Sequence, residues 1–223
     1  MSSPADPFAT GSASPEGTAF HNPDYVALRR AWINEVRCPE LLPYQTDTVE
    51  NIMKSLRPQW TLISARQGQW AAGRDSYLRD ILVMEADRVG YVLKSYLRVR
   101  ISKIQKYARY YVMLGSSGIL SATELKFAVN HLSITEQAFK SMFLRHLPQD
   151  DEYFQTLVAS DDPGGDMICR PNLEQVVFAK VTEPIGTIAT GHDETATLDK
   201  DRSYMIRYSL VQDFLRQNRV ELM

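Results

Sequence analysis

The sequence has 223 residues, of which 44% are hydrophobic and 23% are charged, and its formal net charge at pH 7 is −2. These values are typical of globular proteins, with enough apolar material for one large domain or two smaller ones. The near-neutral charge argues against bulk attraction to nucleic acid, so any such role would need a local basic patch.

The first 21 residues, "MSSPADPFATGSASPEGTAFH", are rich in Ser, Pro, Gly and Ala. Such a stretch buries too little apolar surface to offset the entropy of ordering it, which predicts a disordered tail over 1–21. It has no apolar core flanked by basic residues, so no secretory signal is expected. No apolar run in the chain approaches about 18 residues, so no membrane span is expected either.

Helical patterns begin at Asn22, which is placed as an N-cap with Pro23 at the first helical position. The apolar residues that follow recur at helical spacing until "CPELLP" at 38–43 ends the helix. A second helix carries the predicted apolar stripe Val49, Ile52, Met53 and Leu56. Pro58 lies within this second pattern, and the sequence leaves open whether it kinks the helix or splits it.

A long central helix is predicted from about Asp75 to Tyr107, which corresponds to a length of roughly 50 Å. The next helix opens with Ser121 and Glu124, a spacing typical of a capping box, and stops at Pro148. Together these patterns predict a helical bundle domain over 22–147.

The composition changes after residue 147. Residues 148–201 contain twelve Asp or Glu and only three Lys or Arg, and "DDPGGD" is typical of a turn-rich connection. An acidic flexible linker is therefore predicted over 148–167. Strand patterns follow in "QVVFAKV", "SYMIRY" and "RVELM". The predicted fold is thus mainly α, a helical domain with a long central helix, followed by a small β-rich domain over 168–223.

The segment Arg88–Arg109 holds seven basic side chains and no acidic one. On a helical wheel its apolar residues cover an arc of about 200°, which is wider than the stripe of an ordinary surface helix. Arg100 and Lys103 fall inside this arc. Charges in such positions must be paired or must lie at a boundary between packed surfaces.

The wide arc favours a core helix whose arginines pair with acidic neighbours, or a helix that also forms a subunit interface. A helix that reads DNA keeps a narrower core stripe and exposes its basic residues. A membrane-surface helix presents an exposed apolar face with basic flanks. A DNA-binding module that uses Arg88–Arg109 is kept as the alternative hypothesis.

The sequence contains no recognisable motif for a catalytic, cofactor-binding or metal-binding site. There is no phosphate-binding loop, dinucleotide fingerprint or nucleophile elbow, and the four histidines are scattered without metal-ligand spacing. Cys38 and Cys169 offer no disulfide framework, and Cys38, beside a helix end, is expected to be a buried or half-buried structural thiol. We therefore predict no enzyme, with no catalytic residue, cofactor or metal site.

Five stretches of the sequence are characteristic when they are taken together and in order. The first to note is "YVLKSYLRVRISKIQKY" at 91–107. The others are "AWINEVRCPELLP" at 31–43, "RHLP" at 145–148, "PNLEQVVFAKV" at 171–181 and "MIRYSLV" at 205–211. In sequence, order and spacing they resemble the Sld-five family of GINS complex subunits, for which the first stretch is similar to the hallmark. The resemblance extends over about residues 25–223.

The resemblance implies a helical domain followed by a β-rich one, within a heterotetramer made with the three other GINS subunits. It implies a nuclear, non-catalytic scaffold that joins the MCM ring and the Cdc-forty-five protein in the replicative helicase for initiation and elongation. Replisome factors such as DNA polymerase epsilon are further implied partners, DNA contact would be weak or indirect, and no membrane is involved. The implied partner-interface residues are Trp32, Tyr96, Leu97, Arg98, Arg100, Lys103, Ile104, Phe178, Ile206 and Tyr208.

Overall fold

The computed structural model describes residues 22–65, 74–115, 118–146, 167–191 and 194–223. The predicted tail and nearly all of the predicted linker lie outside these ranges, so both stay predictions, as do the domain boundaries. Five helices come first: α1 Pro23–Arg37, α2 Thr46–Ala65, α3 Arg74–Lys106, α4 Ala108–Leu114 and α5 Ala122–Met142. A short 3₁₀ turn, Leu144–His146, follows α5.

The C-terminal part contains five strands and one helix within the described ranges: β1 Val176–Val181, β2 Gly186–Gly191, β3 Glu194–Leu198, β4 Ser203–Arg207, α6 Tyr208–Arg216 and β5 Val220–Leu222. A helical part followed by a small β-rich part is the predicted fold class, which is confirmed. None of the described helices has both the length and the apolarity needed to cross a bilayer.

The predicted helix starts are confirmed in detail. The Asn22 side chain accepts a hydrogen bond from the Asp24 amide at 3.0 Å, and Pro23 occupies the first turn of α1. At the start of α5, the Ser121 hydroxyl accepts from the Glu124 amide at 3.2 Å. The Glu124 carboxylate accepts in return from the Ser121 amide at 2.9 Å. This reciprocal capping box satisfies two amides that have no partner within the helix.

Pro58 does not split the second helix, because α2 runs as one element from Thr46 to Ala65. Proline cannot donate the hydrogen bond that the Lys54 carbonyl would otherwise receive. Pro58 and Lys54 are both exposed, so water can satisfy that carbonyl. The helix tolerates the proline because the missing bond lies on its solvent side.

Helix α3 lies at the centre of the helical part. Its residues Ala86, Val92, Leu93 and Tyr96 are buried in one core cluster with residues of α1 and α2. Ile104 belongs to a second cluster, formed with Leu41 and with residues of α4 and α5. The helix is therefore covered on more than one side, as its wide apolar arc predicts.

The C-terminal part is built on an antiparallel sheet of order β4-β1-β5. In β1, Val177, Ala179 and Val181 are buried and alternate with more accessible residues. The buried face packs against α6 through Tyr208, Val211 and Leu215. Cys38, which follows α1, lies in the same core cluster. A sheet this small has a marginal core of its own, so docking on the end of α1 supplies part of what it lacks.

The three predicted strands are confirmed as β1, β4 and β5, whereas the sequence reading missed the β2–β3 hairpin and α6. The sequence pattern predicts Tyr208 in a strand, but Tyr208 begins α6 and is fully buried. The signal for α6 was present, since Tyr208, Val211 and Leu215 follow a helical spacing. The hairpin is rich in Thr, Ala and Gly, and so lacks the apolar alternation that indicates a strand.

Candidate protein-interaction surfaces

Arg100 occupies the centre of a buried ionic network. Its side chain has no exposed surface, and its five N–H groups all find acceptors, which matches the full donor capacity of a guanidinium. The acceptors are the Glu124 carboxylate at 2.7 and 3.1 Å, the Glu35 carboxylate at 3.1 Å, the Leu42 carbonyl at 2.6 Å and the Ile119 carbonyl at 2.9 Å. One side chain of α3 thus connects α1, the segment after it, and the start of α5.

Electrostatics and aromatic contacts keep Arg100 charged. Burial opposes its charge, but the hydrogen bonds that Arg100 donates to Glu124 and the negative charges of Glu35 and Glu124 outweigh that cost and raise its pKa. The guanidinium carbon also lies 5.2 Å from the ring centroid of Tyr44 and 5.6 Å from that of Tyr96. Burial raises the pKa of the Tyr96 hydroxyl to about 12, so that neighbour remains neutral. The prediction that Arg100 must be paired is confirmed.

Most of the basic segment is neutralised within the chain. Lys103 contacts the Glu35 carboxylate at 2.7 Å, so two cations share the buried Glu35. Arg88 pairs with Glu85 at 2.7 Å, and Arg109 pairs with Glu136. The remaining three, Lys94, Arg98 and Lys106, are exposed. The segment therefore serves chiefly as an internal framework and offers only a small exposed basic surface.

The ten residues of the predicted partner interface divide by burial. Five lie in the core of this chain and have little surface left for a partner: Tyr96, Arg100, Ile104, Ile206 and Tyr208. Trp32, Leu97 and Lys103 are half-buried, and Trp32 donates its indole N–H to the Ser95 hydroxyl at 3.0 Å. Arg98 and Phe178 are exposed. Packing assigns the first five to folding of this chain, and partner contact stays a proposal for the others.

Large apolar side chains are exposed along the first half of α3. Tyr77, Ile81 and Met84 follow each other at spacings of four and three residues, and 73%, 62% and 70% of their surfaces are exposed. Leu78 is exposed beside them. We call these four residues the α3 stripe. Such side chains gather on one face of a helix when that face packs against another surface, and the sequence reading had not separated this stripe from the core.

Two further apolar surfaces are exposed in the part of the chain that the structure describes. The α5 surface consists of Ile134, Phe139, Met142 and Phe143. The sheet face consists of Val176, Phe178, Met205 and Met223 on the side of the sheet opposite α6. Phe178 pairs with Met205 across the strands, and the Met223 amide donates to the Phe178 carbonyl at 2.9 Å. Large contiguous apolar patches are rare on monomers and mark sites of protein contact.

Neither the potential metal ligands of the described residues nor the thiol of Cys38 forms a reactive site. Within the described ranges, no group of three or more His, Cys, Asp or Glu side chains could hold a metal ion. Cys38 is buried, and burial raises the pKa of its thiol to about 12. Its neutral thiol is therefore a packing group in the core cluster of the sheet, as the sequence predicts.

We expect iodoacetamide at pH 8 to alkylate the exposed Cys169 in the native chain and to leave Cys38 unmodified. A thiol with a pKa near 12 is only about 0.01% thiolate at pH 8, and burial blocks the reagent as well. Intact-mass spectrometry should show one adduct in buffer and two in denaturant. Labelling of Cys38 in buffer at the rate of Cys169 would contradict the buried placement.

Comparison with known proteins gives matches along most of the chain. A family model described as the GINS complex protein helical bundle domain matches residues 75–143. A second, described as the C-terminus of the DNA replication complex GINS protein SLD5, matches residues 171–223. The first contains the α3 stripe and the α5 surface, and the second contains the sheet face.

Curated relatives match over most of their lengths. The DNA replication complex GINS protein sld5 of Schizosaccharomyces pombe is 31% identical over 203 residues, covering 89% of this chain and 91% of the relative. The SLD5 protein of Candida glabrata is 30% identical, covering 89% and 79% respectively. The human SLD5 protein is 28% identical over 207 residues, covering 87% and 86%.

Proposed function

This chain belongs to the Sld5 family of DNA replication complex GINS proteins, and we propose that it is a non-catalytic scaffold subunit of a GINS heterotetramer. The observation that carries the proposal is the exposure of three apolar surfaces among the described residues, on a chain whose motif cations Arg100 and Lys103 are already paired within the chain. The motif builds the scaffold, and the apolar surfaces remain to bind partners.

The three other GINS subunits are the proposed direct partners. The α3 stripe has the helical spacing that suits contact with a helix of another subunit. The α5 surface adds exposed apolar side chains from the second half of α5 and the residue after it. The sheet face, together with Arg98 and the half-buried Trp32 and Leu97, adds candidate contacts from the predicted interface set. Burial of these surfaces would remove apolar area from water, which is the main favourable term in stable association.

The wider role follows from the family resemblance. The heterotetramer would join the MCM ring and the Cdc-forty-five protein to form the active replicative helicase in the nucleus, with DNA polymerase epsilon among the neighbouring factors. This chain would contribute structure and contact surfaces to that assembly, without a catalytic group of its own.

Size-exclusion chromatography with light scattering tests the proposal directly. We expect the chain expressed alone to aggregate or self-associate, because its apolar surfaces are uncovered. We expect co-expression with the three other GINS subunits to give a particle with one copy of each. A monomer that stays soluble alone and ignores those subunits would overturn the scaffold proposal.

The alternative hypothesis, a DNA-binding module, predicts strong and steeply salt-dependent binding by this chain. Four of the seven basic side chains in Arg88–Arg109 contact carboxylates, which leaves three to meet phosphates. Replacement of Lys94, Arg98 and Lys106 by Gln separates the two hypotheses. DNA affinity lost in this variant, with subunit assembly retained, would favour the alternative.

A further inference from the structure

Lys103 binds the end of α1 and the segment after it with all of its donors. Its ammonium donates to the Glu35 carbonyl at 2.5 Å, to the Glu35 carboxylate at 2.7 Å and to the Glu40 carbonyl at 2.7 Å. An ammonium has three N–H groups, so its capacity is full. The Glu35 carbonyl belongs to the last turn of α1, where carbonyls lack partners within the helix and a nearby cation is favourable.

The segment that follows α1 also contacts the C-terminal part of the chain, through hydrogen bonds between Glu40 and α6. The Glu40 carboxylate accepts from the Tyr208 hydroxyl at 2.6 Å, from the Gln212 side-chain amide at 2.7 Å and from Arg216 at 3.3 Å. These three residues all lie on α6. One residue, Glu40, is thus held through its main chain by α3 and through its side chain by α6.

A second contact, between Asn34 of α1 and strand β5, attaches the sheet to the helical part. The Asn34 side chain on α1 accepts from the Leu222 amide of β5 at 2.9 Å, and this bond is buried. Cys38 lies between these two contacts in sequence and packs into the core of the sheet. We call residues 34–42 the seat, because this segment carries the hydrogen bonds and the apolar contact on which the C-terminal part rests.

We propose that Lys103 is a positioning residue that fixes the conformation of the seat, so that the central helix α3 determines where the C-terminal part docks. The hydrogen bonds found for Lys103 all go to the seat, so its effect on α6 and β5 passes through Glu40 and Asn34. Without the ammonium, the Glu35 and Glu40 carbonyls lose their donor, and the turn between them loses the contact that defines its shape.

The consequence for the scaffold is a fixed relation between its surfaces. The α3 stripe lies on the same helix as Lys103, and the sheet face lies on the part that the seat holds. A rigid seat would present the two surfaces to partners at one spacing and orientation, which lowers the ordering cost of binding both. The proposal concerns contacts within one chain, so its failure would leave the subunit-assembly proposal untouched.

Amide hydrogen exchange of the full chain, within its complex where it needs one, tests the proposal with Lys103→Met. We expect protection of β1, β5 and α6 to fall about tenfold or more, with α2 and the first half of α3 close to wild type. Lys106→Met is the matched control, because Lys106 lies on the same helix, is exposed and loses the same charge. An even loss across the chain, or unchanged protection in the C-terminal part, would overturn the proposal.

A double-mutant cycle checks that the effect passes through Glu40. Tyr208→Phe removes the hydroxyl that donates to Glu40 but leaves Lys103 untouched. If both residues act on the placement of Glu40, the double variant should lose less protection than the sum of the single losses. Additive losses would show two independent contacts and would contradict the proposal.

Lys103→Arg is a second, milder variant, which keeps the test usable if Lys103→Met fails to fold. It keeps the positive charge, but a planar guanidinium cannot place three donors where the compact ammonium places them. We expect a smaller loss with the same C-terminal pattern. If both Lys103 variants fail to fold while Lys106→Met folds normally, Lys103 supports the whole chain rather than the docking, and the proposal is overturned.

Discussion

Replacement of Arg100 by Met is expected to lower the free energy of unfolding of this chain by about 3–5 kcal/mol. The substitution removes the cation from the buried carboxylates Glu35 and Glu124, and removing one partner of a buried ionic network carries a cost of this size. It also leaves the Leu42 and Ile119 carbonyls without their donor. Domains have only about 5–15 kcal/mol of stability, so a large share of it would be lost.

Pulse proteolysis in urea, read from the band of this chain, measures the effect alone or in the complex. Lys94→Met is the matched control, because Lys94 lies on the same helix but is exposed and is not among the predicted interface residues. Its effect should stay within about 0.5 kcal/mol. Arg100→Lys should fall between the two, because three donors replace five in a different geometry. Equal urea midpoints for Arg100→Met and Lys94→Met would contradict the role assigned to the network.

The position of Arg100 was predictable from the sequence, whereas its partners were not. The wheel placed Arg100 among apolar residues, which requires a partner for the charge. Glu35 and Glu124 lie 65 and 24 residues away, and their approach depends on how α1 and α5 pack on α3. One signal did exist for Glu35, because it follows the buried Leu28 by two helical turns on the same face of α1.

The distinction between core and interface within the family hallmark also needed the structure. Tyr96 and Leu97 are neighbours in one motif, yet Tyr96 is buried and Leu97 is only half-buried. A wide apolar arc indicates that a helix is covered, but covering by the same chain and by another chain leaves the same pattern. The α3 stripe lies before the hallmark in the sequence. In that region the sequence predicts a long helix, but it does not separate exposed apolar residues from those of the core.

The sheet face illustrates the same limit in a strand. Alternation in β1 placed Phe178 on one face and Val177 and Ala179 on the other, but both faces are apolar. Which face packs inward was decided by α6 and Cys38, which the sequence reading had not assigned to this core. The outward Phe178 is therefore an interface candidate for a reason that only the packed structure supplies.

Replacement of Ile81 by Arg and Met84 by Glu together is expected to abolish assembly with the other GINS subunits while leaving the chain folded. Each new charge would have to be buried without a partner if the α3 stripe is an interface. Central interface residues each contribute about 2 kcal/mol or more, so a double change should weaken binding by roughly a thousandfold or more. Co-purification with the three partners, followed by light scattering, measures the loss.

The pair of substitutions is chosen to leave the isolated helix as stable as before. Arg at 81 would lie four residues before Glu85, and Glu at 84 four residues before Arg88, so both would face opposite charges. Net charge is unchanged. Thr195→Arg with Thr197→Glu places the same two charges on exposed polar positions of β3 and should assemble normally. Normal assembly of the Ile81 and Met84 variant would show that the α3 stripe faces solvent in the complex, and the subunit contacts would then have to come from α5 and the sheet face.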